Sequence, residues 1–271
     1  MILLTGGTGK TGQRIAAHLG VQARIVSRHS PLRFDWEDPT TYAAALHQVR
    51  AVYLVAPAGV SNLLPAMRPF LEQALASGVG RFVLLSSSAL AEGGPLMGEV
   101  HGWLHQHAPG WVVLRPSWFM QNFSEGPHRH TMDQQSTLYS ATGQGKVAFI
   151  DAEDIAAVAA RALQQPDFPS GELLLTGPEA LSYDQVAEIF SQLRGTPIHH
   201  QPLSVDQLAE NYRQAGLPRE YAHTLAAMDQ AIAEGAEDRV SDQVQRITGR
   251  APRSFADFAS DAYVARKGDP S

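Results

Sequence analysis

Four glycines in eight residues, Thr5-Gly-Gly-Thr-Gly-Lys-Thr-Gly12, stand between a short apolar run at 2–5 and a helical pattern over 10–19. Gly7-x-Gly9-x-x-Gly12 has the spacing of a dinucleotide fingerprint. There the glycines allow a tight turn, let backbone approach a pyrophosphate, and let a helix pack closely on a strand. A helix starting at such a turn points its unpaired N–H groups and the positive end of its dipole at the anion. Gly9-Lys10-Thr11 also resembles the end of a triphosphate-binding loop, but that motif requires a glycine five positions before Gly9, where the chain has Leu4.

The second apolar run ends in Ser27-Arg28, about 20 residues after the glycines, where an NAD fingerprint carries an acid for the ribose hydroxyls. A guanidinium there pairs with a 2′-phosphate and no carboxylate repels one, so NADP is expected over NAD. Asp35 and Trp36 are read at a third strand end, where a side chain can cover the adenine. Trp118, Phe119, Met120, Asn122 and Phe123 follow a strand ending at Pro116 and could wall an aromatic or polycyclic amine. The same residues could instead anchor a subdomain. Residues 124–136, with His128-Arg129-His130, read as a mobile polar lid, and His199-His200 as a surface pair.

The elements that must position these residues alternate. Apolar runs at 2–5, 23–28, 34–36, 52–57, 81–88 and 110–116 read as strands, and 10–19, 42–49, 64–77 and 98–107 as helices. This alternation predicts an α/β fold, a doubly wound parallel Rossmann sheet. Further strands are expected at 147–150 and 172–176, around a helix over 154–165 in which Asp154 serves as a cap or pin. Beyond 177 the pattern turns helical, with capping boxes at Ser182-x-x-Gln185 and Ser204-x-x-Gln207 and a last helix capped by Ser254. The expected division is an NADP-binding domain over 1–177 and a smaller helical substrate-binding subdomain over 178–271, closing over the nicotinamide end of the cofactor, with 118–140 contributing to the site. A frayed tail is expected over 267–271.

A chain of 271 residues, 44% hydrophobic, buries a sizeable core without staples. A net charge of −6 without a basic run argues against a nucleic-acid partner. The absence of cysteine excludes disulfides, thiolate nucleophiles and zinc–cysteine sites. No run approaches the roughly 18 apolar residues of a membrane span, and no signal segment precedes the first strand. A cytoplasmic protein with a small-molecule substrate is therefore expected; oligomeric state is not legible.

The sequence resembles the NmrA-like, atypical branch of the short-chain dehydrogenase/reductases. The resemblance rests on Thr5-Gly-Gly-Thr-Gly-Lys-Thr-Gly12, Ile25-Val-Ser-Arg28, Leu85-Ser-Ser-Ser88, Leu114-Arg-Pro-Ser-Trp-Phe-Met-Gln-Asn-Phe123 and Ala152-Glu-Asp-Ile-Ala156. Tyr139-Ser-Ala-Thr-Gly143, Thr176-Gly-Pro-Glu179 and Ile247-Thr-Gly-Arg-Ala-Pro252 draw it toward the ergot-alkaloid iminium reductases, the festuclavine and agroclavine dehydrogenases. The resemblance implies NADP(H) held by Gly6, Thr8, Gly9, Lys10, Thr11, Gly12 and Arg28, with Ser27 and Pro116 in the same groove. It puts Ala56 and Pro57 beside the ribose, and Ser86 and Ser87 nearer the nicotinamide.

Ordinary members of that superfamily use Tyr-x-x-x-Lys, the phenol giving a proton as hydride arrives at a carbonyl. Here the spacing occurs only at Tyr263 and Lys267, in the tail, while the expected helix reads Gly98-Glu-Val-His-Gly-Trp-Leu-His-Gln-His107. His101 is the titratable candidate at that place, against the reading that His101, His105 and His107 form a polar helix face. His101-x-x-x-His105 has metal-ligand spacing, but Gly102 replaces the zinc-protease glutamate and no third ligand is evident, so no metal is expected. A carbonyl acceptor develops an alkoxide that needs a proton, whereas an iminium ion becomes a neutral amine. The missing acid thus fits an NADPH-dependent imine or iminium reductase of secondary metabolism, such as alkaloid biosynthesis. It fits equally an NADP(H)-sensing regulator without turnover, and a quinone or conjugated-carbonyl reductase stands as a third reading.

Overall fold

The computed structural model describes residues 1–267. In chain order the elements are β1 (Ile2–Leu4), α1 (Lys10–Leu19), β2 (Ala23–Ile25), α2 (Tyr42–Leu46), β3 (Ala51–Leu54), α3 (Leu63–Ala76), β4 (Arg81–Leu85), α4 (Met97–His107), β5 (Trp111–Pro116) and α5 (Pro127–Gln135). They continue through β6 (Thr137–Ser140), β7 (Lys146–Val147), α6 (Ala152–Gln164), β8 (Gly171–Leu175), β9 (Leu181–Ser182), α7 (Tyr183–Arg194) and β10 (His199–Pro202). Four helices end the described chain: α8 (Val205–Gln214), α9 (Arg219–Ala233), α10 (Gln243–Thr248) and α11 (Phe255–Lys267). Beyond Lys267, the expected tail lies outside the described residues.

The chain forms two compact units, and each draws on several stretches. The first comprises Met1–Pro116, Ala152–Leu175 and Gln243–Arg250; the second comprises Ser117–Asp151, Thr176–Asp242 and Ala251–Ser271. The single division expected after 177 is thus replaced by five crossings. The reason is that β8 pairs in parallel with β5 and α10 packs on α6, which returns both segments to the first unit.

The first unit is a six-stranded parallel sheet in the order β2-β1-β3-β4-β5-β8. Its strands are nearly continuous apolar runs, as a sheet covered on both faces requires: every residue of β1 and β3 is buried. Phe34, Tyr42, Phe70, Phe82 and Trp103 belong to one core cluster with Leu3, Val52 and Val113. Elsewhere in the unit α1 packs against α6, whose alanines at 156, 157, 159 and 160 let the helices approach.

The strand expected at 34–36 is absent. One bridge joins Ser27 to Arg33, after which Phe34 and Trp36 turn edge-to-face toward each other and toward Phe70, at 5.0–5.3 Å between centroids. Their alternation is satisfied by aromatic packing instead of a ladder.

The second unit gathers Phe123, Phe149, Tyr183, Phe190 and Phe255 into one cluster. Both capping boxes form, opening α7 and α8, and α7 closes on Gly195 in the left-handed region at φ 73°. Residues 124–136 are largely the helix α5 and not a loop, with Arg194 donating from Nη1 to the Met132 carbonyl at 2.8 Å. His200 is not a surface residue. Its side chain is 1% exposed and its ring lies between Asp184 (Nδ1 to Oδ1, 3.0 Å) and Ser140 (Nε2 to Oγ, 2.9 Å).

Asp229 on α9 is 6% exposed and accepts the Ala141 N–H at 2.8 Å. Burial raises its pKa to about 6 against that one opposing hydrogen bond. A carboxyl whose folded pKa lies above its unfolded value contributes stability that is complete below pH 4 and lost as pH rises through 6. Asp229→Asn is therefore expected to gain up to about 3 kcal/mol at pH 8 and little at pH 4, read by urea unfolding at both pH values. Equal effects at the two would refute the charge argument.

Candidate functional site

The glycine turn and the start of α1 lie at the carboxyl end of β1. There the strand order reverses between β2 and β3, the position at which open parallel sheets take ligands. The turn is closed by its own backbone, Gly7 N–H to the Leu4 carbonyl at 3.3 Å and Gly9 N–H to the Gly6 carbonyl at 3.0 Å. Its inner side has no room for side chains. A Cβ on Gly6 would lie 2.6 Å from Val55, one on Gly7 2.6 Å from Ile25, and one on Gly12 2.0 Å from the Gly6 carbonyl oxygen. Its outer side differs: Thr8 and Gly9 are exposed, and a Cβ on Gly9 would meet only the Gly6 oxygen, at 3.3 Å.

Gly9 is the N-cap of α1 and no side chain caps the helix. The first-turn N–H groups of Lys10, Thr11 and Gly12 are the donors such a start leaves for an anion. Thr11 contributes through backbone alone, because its hydroxyl is buried against that of Tyr53 at 2.8 Å. Thr5 completes the clamp. Its hydroxyl donates to the Tyr53 carbonyl at 3.1 Å and accepts the Val55 N–H at 3.0 Å, so β1, β3 and α1 are locked together beneath the turn. Neither Thr5 nor Tyr53 was singled out from the sequence; a tyrosine inside the otherwise aliphatic run Val52-Tyr-Leu-Val was the available signal.

Around the turn, Ser27 is half-buried, its N–H given to Ser30 Oγ at 2.8 Å, while Arg28 is exposed. Asp35 does not present a free carboxylate, since Arg33 Nη2 lies 3.1 Å from its Oδ2 and the Glu37 N–H reaches Oδ1 at 3.2 Å. Trp36 is partly buried in the aromatic cluster. Ala56 and Pro57 follow β3 and are half-buried.

Ser86 and Ser87 follow β4 and are pinned by β5. The Ser86 N–H reaches the Leu114 carbonyl at 2.8 Å, and the Ser88 N–H the Pro116 carbonyl at 2.9 Å. Arg115 is a residue that sequence reading missed. Its Nη2 donates to the Ser88 carbonyl at 2.9 Å and its Nη1 pairs with Glu172 at 2.8 Å, so the serine tip is tied to both β5 and β8. An arginine in the apolar run Trp111-Val-Val-Leu was its signature.

His101 is buried on α4. It is 1% exposed, its ring centroid 5.3 Å from that of Trp111 at the start of β5. Burial lowers its pKa against the pull of Glu92, 3.8 Å away, and Nε2 has no hydrogen-bond partner. Packed between helix and sheet, the ring has no open face for a reacting group.

Two of the five expected wall residues are also core. Met120 is 0% and Phe123 2% exposed, with Phe123 stacked on His128 at 4.9 Å and edge-on to Phe149 and Phe255. Burial pushes the His128 pKa down to about 4, with His200 adding repulsion, so His128 serves that core as a neutral ring. Trp118, Phe119 and Asn122 remain partly accessible. Among the described residues no acidic and histidine cluster could hold a metal, and no helix is long and apolar enough to cross a membrane.

A parallel, doubly wound sheet with a glycine turn at its switch point defines a Rossmann-type dinucleotide-binding fold. Residues 111–259 match the NmrA-like family, and the chain belongs to it, in the atypical branch of the short-chain dehydrogenase/reductases that the motifs indicated. It is 43% identical, over 96% of its length, to an uncharacterized oxidoreductase of Bacillus subtilis that it covers to 94%. It is 41% identical to the agroclavine dehydrogenase of Claviceps fusiformis, with 96% of each chain covered. Among solved structures, the NADPH-dependent quinone oxidoreductase of Escherichia coli complexed with NADPH shares the fold, with a TM-score of 0.82 at 23% identity over 97% of this chain and 100% of that one.

The two sides of the turn predict different responses to the same added methyl group. Gly12→Ala must push α1 off the Gly6 carbonyl and should cost about 2 kcal/mol or more, whereas Gly9→Ala should cost under about 1 kcal/mol. Chemical denaturation of both variants checks this; equal losses would refute the packing role assigned to Gly12.

Proposed function

We propose that this protein is an NADPH-dependent oxidoreductase that transfers hydride to a C=N or iminium bond of a small secondary-metabolite intermediate. One observation carries the proposal: an uncapped helix start above a glycine turn filled on its inner side and bare on its outer side, in a chain whose α4 has neither Tyr nor Lys. The names of the Bacillus and Claviceps relatives support oxidoreduction, and the clavine dehydrogenase supports an amine-related acceptor.

The turn fits a pyrophosphate on the structure's own terms. Exposed backbone at Thr8 and Gly9 and the leading N–H groups of α1 supply donors, and no side chain caps the helix start. Lys10 adds positive charge beside them, and Arg28, exposed just beyond β2, suits a 2′-phosphate. Ala56 and Pro57 offer small, flat surface to a ribose. Ser87 Oγ accepts the Ala89 N–H at 3.3 Å, which leaves its own proton to donate to a carboxamide, and Arg115 fixes the backbone that carries it.

Bound there, NADPH supplies the hydride. The chain's part is orientation, since holding reactants at about 3 to 3.5 Å supplies much of a rate without an acid. An iminium acceptor loses its charge as it is reduced, so no side chain has to deliver a proton to it. His101 is accordingly left out of the mechanism.

An NADPH-consumption screen over cyclic imines, quinones and enones tests the reading. Cyclic imines should be preferred, with turnover falling as pH rises and the iminium form is lost. Preference for quinones would replace the proposal with quinone reduction, and binding without oxidation of NADPH would indicate a regulator. Arg28→Ala should lower the preference for NADPH over NADH about tenfold in titrations of both coenzymes. His101→Phe should keep turnover within about twofold, whereas a loss of a hundredfold or more would return the histidine to the chemistry.

A further inference from the structure

The loop that follows β2 carries an ion-pair arrangement that the reading above does not use. Ser30 folds the loop back, accepting the Ser27 N–H at 2.8 Å and donating from Oγ to the Leu32 carbonyl at 2.6 Å. The Phe34 N–H then reaches the Ser27 carbonyl at 3.0 Å, and Arg33 bridges in parallel to Ser27. Arg33 is thereby fixed beside the residues expected at the adenosine ribose. Its guanidinium spans two carboxylates, Nη2 to Asp35 Oδ2 and Nη1 to Asp38 Oδ2, each at 3.1 Å.

Both acids are engaged as hydrogen-bond acceptors. Asp38 Oδ1 takes the Thr40 hydroxyl at 2.6 Å and the Thr40 N–H at 3.2 Å, and that hydroxyl, with Arg33 adding, keeps its carboxyl below the usual range. Asp35 Oδ1 takes the Glu37 N–H. The two acids are 21% and 30% exposed, and Arg33 is 55% exposed above them.

A carboxylate at this end of a Rossmann sheet selects NAD, because it binds ribose hydroxyls and repels a 2′-phosphate. This chain has no acid at 27 or 28 but brings two others into the same loop. Counting Arg28, Arg33, Asp35, Glu37 and Asp38, the loop carries one net negative charge with Arg33 in place and two without it.

We propose that Arg33 is a specificity-determining residue that acts by covering the Asp35 and Asp38 carboxylates, so that Arg28 meets a 2′-phosphate against a weaker opposing field. The role is indirect: the contacts of Arg33 are the two acids, and its effect on coenzyme choice runs through them. The inference rests on the coenzyme reading and adds to it the element that keeps an acid-bearing loop compatible with NADPH.

The test is the ratio of NADPH to NADH affinity, measured by calorimetric titration of the native chain, Arg33→Ala, and the triple variant Arg33→Ala/Asp35→Asn/Asp38→Asn. Asparagine keeps the acceptor oxygens that Glu37 and Thr40 use, so the loop's backbone bonds survive. Arg33→Ala should lower the ratio about tenfold at low salt and less at 1 M salt, where the Debye length falls to about 3 Å. The triple variant should bring it back to within about twofold of native.

An unchanged ratio in Arg33→Ala overturns the proposal. A lowered ratio that the triple variant fails to restore also overturns it, because Arg33 would then be a direct phosphate ligand. No saturable binding of either coenzyme by the native chain would overturn the coenzyme reading itself, and this inference with it. Thermal midpoints within a few degrees of native would show that the variants are folded.

Discussion

The site depends on how closely α1 approaches the turn before it. With hydrogen in place of a side chain at Gly12, the helix can sit on the Gly6 carbonyl, where a Cβ would come to 2.0 Å. That approach fixes the direction in which the first-turn N–H groups point, and direction is what makes a helix start an anion site. The clamp of Thr5, Tyr53 and Thr11 serves the same end from below. A tyrosine hydroxyl inside a parallel sheet must find a partner, and the Thr11 hydroxyl supplies it at 2.8 Å. Burial raises the Tyr53 pKa, so this phenol is a neutral strut. The hydroxyls of Thr5, Thr11 and Tyr53 are spent beneath the turn, which leaves its exposed tip at Thr8 and Gly9 free of that network.

The same economy explains α4. In a reductase that needs a proton donor, the helix after β4 presents a phenol and an ammonium. Here its inward positions hold Val100, His101, Trp103 and Leu104, all buried. A partnerless imidazole nitrogen in that packing is tolerable only as the neutral form, the direction in which burial moves it. Such a helix stabilises the sheet but cannot neutralise a developing alkoxide. An acceptor that starts cationic and ends neutral places no such demand on it. The proposed mechanism is thus constrained more by what this helix packs than by any group it offers.

Legibility in the sequence followed locality. The span of α1, the two capping boxes and the glycine turn are set by residues within four positions of one another, and the structure reproduces them. What the sequence hid depends on distant partners. Phe34 and Trp36 read as a strand because their alternation is that of a strand; Phe70 on α3 takes them instead. The stretch 124–136 is too polar to show a helical stripe, yet Arg194, 62 residues from Met132, holds the end of α5. Met120 and Phe123 have the composition of a binding wall, and only the aromatic cluster around Phe149 and Phe255 reveals them as core. Arg115 and Arg33 escaped notice because a charge in a short run looks solvated until its partners are known.

Spacing and distance also mislead when burial is ignored, and the second unit gives the example. Asp184, His200 and Ser140 stand in hydrogen-bond contact at 3.0 and 2.9 Å, the order and separation of a hydrolytic triad. A nucleophile must meet its substrate, however, and Ser140 is 1% exposed. Its hydroxyl is shared with Thr142 at 2.7 Å, and the N–H of Ala141, the donor that would face an oxyanion, is given to Asp229. Every polar group in the relay is consumed internally, so it tethers β6 to β10 and α7 instead of activating anything. The glycine turn shows the reverse: Thr8 and Gly9 are exposed at its tip, and no side chain caps the helix that follows. That contrast, more than the chemical types of the residues, supports the cofactor site proposed at the turn at the head of the sheet.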